Sequence, residues 1–576
     1  MDFLASPKDQ SRLGKTPYVA GESEKWDGGQ FLHYACRRGQ LGFVPFRLRR
    51  CSCAAPDLEL LQPINKEKEV LFQTWFFFGL LAEFFDLNDE PNDATHNLVA
   101  GSNPSLDDDI KKLYETFLDG GNLSGTNVLE FKGDQMLLAH LHKYSLEDRA
   151  KRSEHLHSCL GFIFHMLSHI SISEAPMSLS ISMSIAGLGE YLNTTLRNMG
   201  LPDTGNHRRP SHRSGAWGRN YLESKSEEEE YMISRNWCKS DVEYVRQQFQ
   251  GLSTRYFLSH LEKPGMASHG GKTCSFQRCG AAQLDPDNYK LSHAEGCDGC
   301  EEIGVDDDAV NGILMTTETF PILRLECSSS GQVQQIHVEE YDDSDEERSY
   351  VAISHVGLVP QAYDRVAANK HVIYQVWADG MGNPKANKIQ TCQIQHLGRL
   401  LQRLPARTAE SRPKPDQEGG GWGYRLWIDT LCCPISVIEK NRALERIATV
   451  YREATCVVVL DKAISSYNSR GDGPAQVAKN CLRIVASSTW MRRLWTLQGK
   501  DLRVTDLGIS KLTPTLTEGA LAKFLLFAFK DNLVSLFEES QQLLRAGLKD
   551  ARYYRIWEDV HLEVWSARLS VGVCVI

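Results

Sequence analysis

Residues 425–461 read RLWIDTLCCPISVIEKNRALERIATVYREATCVVVLD. A short apolar stretch ends in an acid, an amphipathic segment follows, and a second apolar stretch ends in another acid. In the middle, Leu444, Ile447, Ala448 and Tyr451 recur at i, i+3, i+4 and i+7, with Glu445, Arg446, Arg452 and Glu453 off that stripe, which predicts a helix with one apolar face. Cys456 to Leu460 is apolar without alternation, the pattern of a strand covered on both faces. Strand, helix and strand in immediate succession make one α/β unit. In sheets built from such units, ligands sit beyond the carboxyl ends of the strands, here at Asp429, Thr430 and Asp461.

The same alternation extends in both directions. Upstream, residues 350–356 (YVAISHV) predict a strand, and Leu397, Leu400, Leu401 and Leu404 a helix stripe. Downstream, Ala478, Cys481, Leu482 and Val485 form another stripe, and Leu521 to Phe529 a further buried strand. The expected architecture is an α/β domain over residues 348–576, a mostly parallel sheet flanked by helices.

Five segments, YVAISHV, WADGMGNP, RLWIDTLCCP, YREATCVVVLD and WMRRLWTLQ, occur in this order. Together they resemble the heterokaryon-incompatibility (HET) domain of filamentous fungi, over roughly the last two-fifths of the chain. The resemblance implies a TIR-like fold and a role in non-self recognition and programmed cell death. It also implies other incompatibility or signalling proteins as partners and self-association through the domain. An alternative is hydrolysis of nicotinamide dinucleotide (NAD) as substrate, as in some TIR domains, whose glutamate lies four residues after a tryptophan.

Two departures bear on that alternative. Residues 357–376 separate Val356 from Trp377, and residues 499–517 separate Gln498 from Glu518, where the family pattern is continuous. Both read as insertions, either surface loops, which cost little entropy when exposed, or translated intron sequence. Without the second, Glu518 would stand four residues after Trp495 as the catalytic carboxylate, placed to hold ribose hydroxyls and offset charge on an oxocarbenium-like transition state. The remaining candidate dinucleotide contacts are Asp379, Asp429, Arg492, Arg493 and Trp495. All of these but Trp495 have a plainer explanation: Glu518 as a solvated or capping acid, Asp379 and Asp429 as turn carboxylates, and the two arginines as exposed helix charges.

A second constellation precedes that domain. Cys274, Cys279, Cys297 and Cys300 follow the pattern C-x4-C-x17-C-x2-C, with His293 four residues before the third cysteine. Closely spaced cysteines in a Gly- and Asp-rich stretch suit a tetrahedral structural zinc, with free thiols or a disulfide as alternatives. Whether His293 replaces a cysteine is open from spacing alone.

Composition excludes several classes. The 576 residues are 41% hydrophobic and 24% charged, ordinary for a globular protein of several domains, and the net charge of −10 argues against nucleic acid as a partner. Residues 70–85 are the most apolar run, but Gln73 and Glu83 interrupt it and it is short for a membrane span, so a buried helix is expected. The first residues lack an apolar signal region, so the expected setting is the reducing cytoplasm. The expected domain order is a poorly ordered tail (1–56), a helical region (57–251), the Cys/His module (252–304), a hairpin with an acidic linker (305–347), and the α/β domain.

Overall fold

The computed structural model describes residues 4–5, 16–21, 24–38, 64–87, 104–119, 128–129, 145–171, 177–198, 217, 227–263, 274–276, 279, 291–328, 332–342, 349–355, 357–358, 376–377, 381, 386–404, 422–491 and 525–563. The chain divides into two compact units, one of residues 1–235, 242–262 and 543–559, the other of residues 236–241, 263–542 and 560–576.

The first unit is mainly helical. Its helices include Lys66–Gln73, Leu80–Phe85, Pro104–Phe117, Leu146–Ser171, Leu179–Asn198 and Leu252–Ser259. The apolar run expected to form a buried helix does so, with one π-helical turn, Thr74–Gly79, carrying Trp75, Phe76, Phe77 and Phe78 into the core. Four consecutive large side chains cannot all face inward from an ordinary helix unless neighbours cover every side, and here they are enclosed.

Part of the expected tail belongs to this core, which corrects the sequence reading. Trp26, Phe31 and Tyr34 are buried, and the Trp75 indole donates to the Phe31 carbonyl at 2.8 Å. Three aromatics in a polar stretch leave no periodic signal, yet each buries enough surface to anchor it. A buried carboxylate, Glu190, accepts from the N–H groups of Leu252 and Ser253 and from the Ser253 hydroxyl at 2.6–2.7 Å, satisfying the free amides at the start of the helix Leu252–Ser259. Burial pushes its pKa up, and the charge of Arg555 opposes that shift.

The second unit is built on a seven-stranded sheet. Its strands are β1 (Pro321–Cys327), β2 (Val333–Glu340), β3 (Val351–His355), β4 (Trp422–Ile428), β5 (Cys456–Leu460), β6 (Leu525–Ala528) and β7 (Leu533–Ser535). Their order is β7-β6-β5-β3-β4-β1-β2. The four central strands run parallel, and antiparallel strands β7, β1 and β2 complete the two sides. The helices α1 (Asp307–Thr316), α2 (Thr391–Leu401), α3 (Val437–Glu453) and α4 (Pro474–Leu482) accompany them.

The expected hairpin at 322–339 is therefore part of this sheet and not of a linker. Glu339 on β2 accepts from Arg324 on β1 at 2.6 Å and Arg425 on β4 at 2.8 Å, a charge-assisted tie across three strands. The two arginines outweigh the desolvation of Glu339 and hold its carboxyl below the usual range.

The stripe Leu397, Leu400, Leu401 and Leu404 is buried as expected. On α3 Ile447 and Tyr451 of the expected stripe pack against the core together with buried Ala443 and Val450, while Leu444 is 41% exposed. One residue is about 100° of helix rotation, and alanine and leucine stand side by side here, so the smaller Ala443 faces inward where periodicity points to Leu444.

Ile353 lies on the central strand and is 1% exposed, so Ile353→Ala should cost about 2–5 kcal/mol. Leu444→Ala should change stability by no more than about 0.5 kcal/mol. Chemical denaturation of the two variants measures both, and an equal cost would place Leu444 in the core.

Candidate functional site

Because β4, β3, β5 and β6 are parallel, their carboxyl ends share one rim. His355 ends β3, Asp429 follows β4, Asp461 follows β5, and Asp531 lies in the turn after β6. Each acid is used differently.

Asp461 is 2% exposed and fully engaged. Its carboxylate accepts from the N–H groups of Ala463 and Ile464 at 2.9 and 3.2 Å, from the Ser488 hydroxyl at 3.0 Å and from the Trp490 N–H at 2.8 Å. The Trp490 indole in turn donates to Ser354 Oγ on β3 at 2.8 Å. Asp461 thus ties Ser488 and Trp490 to the sheet.

Asp531 accepts from the Ser469 and Arg470 N–H groups at 2.7 and 3.1 Å and from the Ser469 hydroxyl at 3.1 Å. Although desolvation opposes it, these donors hold the carboxyl below its ordinary range. Both acids organise turns, a structural role.

Asp429 differs. Its Oδ1 lies 2.6 Å from His355 Nε2 and accepts from the Thr430 N–H at 2.7 Å, while the Thr430 hydroxyl lies 3.2 Å from the same imidazole nitrogen. The His355 side chain is fully buried and that of Asp429 is 26% exposed. The pair has its imidazole inside and its carboxylate reaching solvent at the rim. Such an arrangement can orient a ligand hydroxyl or pass a proton between imidazole and carboxylate. His355 was not singled out from sequence, although it is the histidine of YVAISHV and sits where a parallel strand would end.

Asp379, Arg492, Arg493, Trp495 and Glu518 lie outside the described residues, as do almost all of 357–376 and all of 499–517; Gly357–Leu358 and Val376–Trp377 pair as a two-residue ribbon.

The five Cys/His positions separate into two groups, each completed by a cysteine the spacing did not include. His293, Cys297 and Cys300 meet Cys392 from α2, and Cys274 and Cys279 meet Cys238. Within each group the ligand atoms lie within 4.8 Å of one another, and either can hold a metal ion. The single module read from the C-x4-C-x17-C-x2-C pattern is thus two clusters. Cys392 and Cys238 escaped notice because each stands alone in sequence, 92 residues after Cys300 and well before Cys274, respectively.

In the first group His293 Nδ1 is 3.5 Å from Cys297 Sγ, 3.4 Å from Cys300 Sγ and 3.6 Å from Cys392 Sγ. Backbone amides support the sulfurs: Ala294 N–H donates to Cys392 at 3.1 Å and Cys392 N–H to Cys300 at 3.4 Å. Desolvation pushes the Cys392 thiol up to about 11. For Cys300 it acts in the same direction, but the Cys392 amide and the neighbouring thiols and imidazole outweigh it and bring that thiol down to about 7. Gly296, at φ 82°, makes the left-handed turn that lets Cys297 N–H reach the Ala294 carbonyl at 3.1 Å. Residues 302–304 pair with 388–390 next to this group, so the Cys/His segment is joined to the start of α2 by both a ribbon and the cluster.

Compared with known proteins, the chain matches no family model, and no curated protein or solved structure is significantly similar to it.

The rim acids should separate on mutation. Asp461→Ala removes a buried acceptor of four hydrogen bonds and should destabilise by about 3 kcal/mol or more, whereas Asp429→Ala, partly exposed, should cost about 1 kcal/mol. Thermal and chemical unfolding of the two variants would show it; matching losses would make Asp429 another structural acid.

Beside the rim, the Asn480 amide donates to the Ser469 carbonyl at 3.0 Å and approaches Glu539 at 3.4 Å. Burial raises the Glu539 pKa to about 7. A carboxyl raised on folding contributes stability below its unfolded pKa and loses it as pH rises through the folded value. The wild type should therefore lose stability relative to Glu539→Gln between about pH 5 and about pH 7. Denaturation midpoints of both proteins across that range test this, and parallel pH profiles would refute it.

Proposed function

We propose that this protein is an incompatibility-type signalling effector whose α/β unit executes the response and whose helical unit and Cys/His segment control it. The unit acts by engaging other incompatibility or signalling proteins, or further copies of itself, and the outcome is programmed death of the cell. One observation carries the reading. The motif segments YVAISHV, RLWID and CVVVLD are β3, β4 and β5, neighbours in one parallel array, and they bring His355, Asp429 and Thr430 within hydrogen-bonding distance of each other. Motifs that are separate in sequence and meet at one rim are what a shared working surface requires.

The metal in the first cluster is zinc in this reading. Zinc–nitrogen bonds of about 2.0–2.1 Å and zinc–sulfur bonds of about 2.3 Å in a tetrahedron place nitrogen and sulfur about 3.6 Å apart. The three observed separations of 3.4–3.6 Å match that edge. A His and three cysteines close the coordination shell, so the ion would brace the fold and leave no position for substrate.

Expression of the full chain in fungal cells should kill them, and His355→Ala or Asp429→Asn should restore growth. Dinucleotide levels should stay flat, and Glu518→Ala should kill at full strength. If the wild type leaves cells viable, the effector reading fails. If killing and dinucleotide loss both vanish with Glu518→Ala, hydrolysis of nicotinamide dinucleotide replaces it.

A further inference from the structure

The second cluster stands apart from the rim and from the His293 group, and no role assigned so far uses it. Cys238 is buried, Cys274 and Cys279 are partly exposed, and their sulfurs lie within 4.8 Å of one another. Three thiols at one point cannot be accounted for by a disulfide, which joins only two. None of the three is disulfide-bonded, and sulfurs converging within 4.8 Å of one another suit a ligand that accepts several sulfur donors.

The surroundings suit bound thiolates. Ser240 Oγ lies 3.2 Å from Cys238 Sγ, in position to donate to it. Cys238 immediately precedes the helix Lys239–Gln248, whose first turn favours negative charge. The Lys239 ammonium stands 5.6 Å from the ring of Phe276, which lies between Cys274 and Cys279 in the sequence, and adds a positive charge beside this segment.

Cys238 is also held rigidly. Its N–H donates to Asp241 Oδ2 at 3.3 Å, Lys263 Nζ binds the same oxygen at 2.8 Å, and that ammonium lies 5.1 Å from the ring of Trp237. A fixed first ligand with two more five residues apart in sequence is an arrangement a metal can join.

We propose that Cys238, Cys274 and Cys279 bind a second zinc ion, so that the protein is a two-zinc protein with ligands from separate parts of the sequence. Three soft sulfur donors select zinc or copper(I) over magnesium or calcium, and the choice of zinc rests on the zinc reading proposed for the first cluster. Solvent can complete the fourth position of the tetrahedron. The assignment stands independently of the effector reading, since it concerns metal content and not cell death.

The test uses the full chain purified under reducing conditions with zinc supplied as the only added metal. Elemental analysis should find about two zinc ions per chain in the wild type and about one in Cys238→Ser and in Cys392→Ser. Pulsed alkylation mapped by mass spectrometry should show all six cysteines protected in the wild type. Cys238→Ser should expose Cys274 and Cys279 while Cys297, Cys300 and Cys392 stay protected, and that continued protection is the control for folding. Cys279→Ser should expose Cys238 and Cys274 in the same way, which guards against a defect peculiar to one variant. One zinc per chain with Cys274 and Cys279 freely alkylated, copper in place of zinc, or a disulfide between Cys274 and Cys279 would overturn the proposal. So would exposure of Cys297 and Cys300 by Cys238→Ser in a chain that retains its helix content.

Discussion

Strand β3 sits at the middle of the sheet, with β4 on one side and β5 on the other, both parallel to it. All five of its residues are buried. A parallel neighbour cannot be reached by a tight turn, so the chain must leave the sheet and return after each of these strands, and each return brings a helix or a long connection. The same constraint puts every carboxyl end of the central strands on one side. From it follow the rim, the meeting of His355 with Asp429, and the position of Asp461 where it can hold Trp490 against Ser354.

What happens at the rim depends on how many donors each carboxylate meets. Asp461 and Asp531 are saturated by backbone amides and serine hydroxyls, and their charge is spent on holding turns. Asp429 meets the Thr430 amide and hydroxyl and the His355 imidazole, and its side chain stays 26% exposed. Similar acids at equivalent strand ends therefore do different work, and the difference lies in the connections around them: the chain after β5 curls back over Asp461 and also brings Ser469 to Asp531, whereas Asp429 pairs with His355 at the end of the neighbouring strand.

The cysteines illustrate a different dependence. The pairs C-x4-C and C-x2-C were visible as chelating pairs because local spacing makes them so. Their grouping was not, because each pair completes its cluster with a cysteine brought in by the fold. Cys392 arrives at the second position of α2, directly after the ribbon strand 388–390, and Cys238 arrives just before the helix Lys239–Gln248. Spacing reports what the backbone can close locally, and a ligand delivered from a distant element leaves no mark in it.

The sequence by itself determined the elements of the sheet. Residues 456–460 read as a strand because an unbroken apolar, Val-rich run suits a position covered on both faces, residues 351–355 extend the same alternation of strands and helices upstream, and Leu397, Leu400 and Leu401 fix the inward face of α2 through helical period. The aromatic residues Trp26, Phe31 and Tyr34, the inward choice of Ala443 over Leu444, and the addition of β1 and β2 to the sheet were decided only by tertiary packing. So was the sorting of seven cysteine and histidine side chains into two clusters. The reason is physical: periodicity and turn chemistry act over a few residues, whereas burial, ion pairing and metal coordination depend on groups that become neighbours only once the chain has folded.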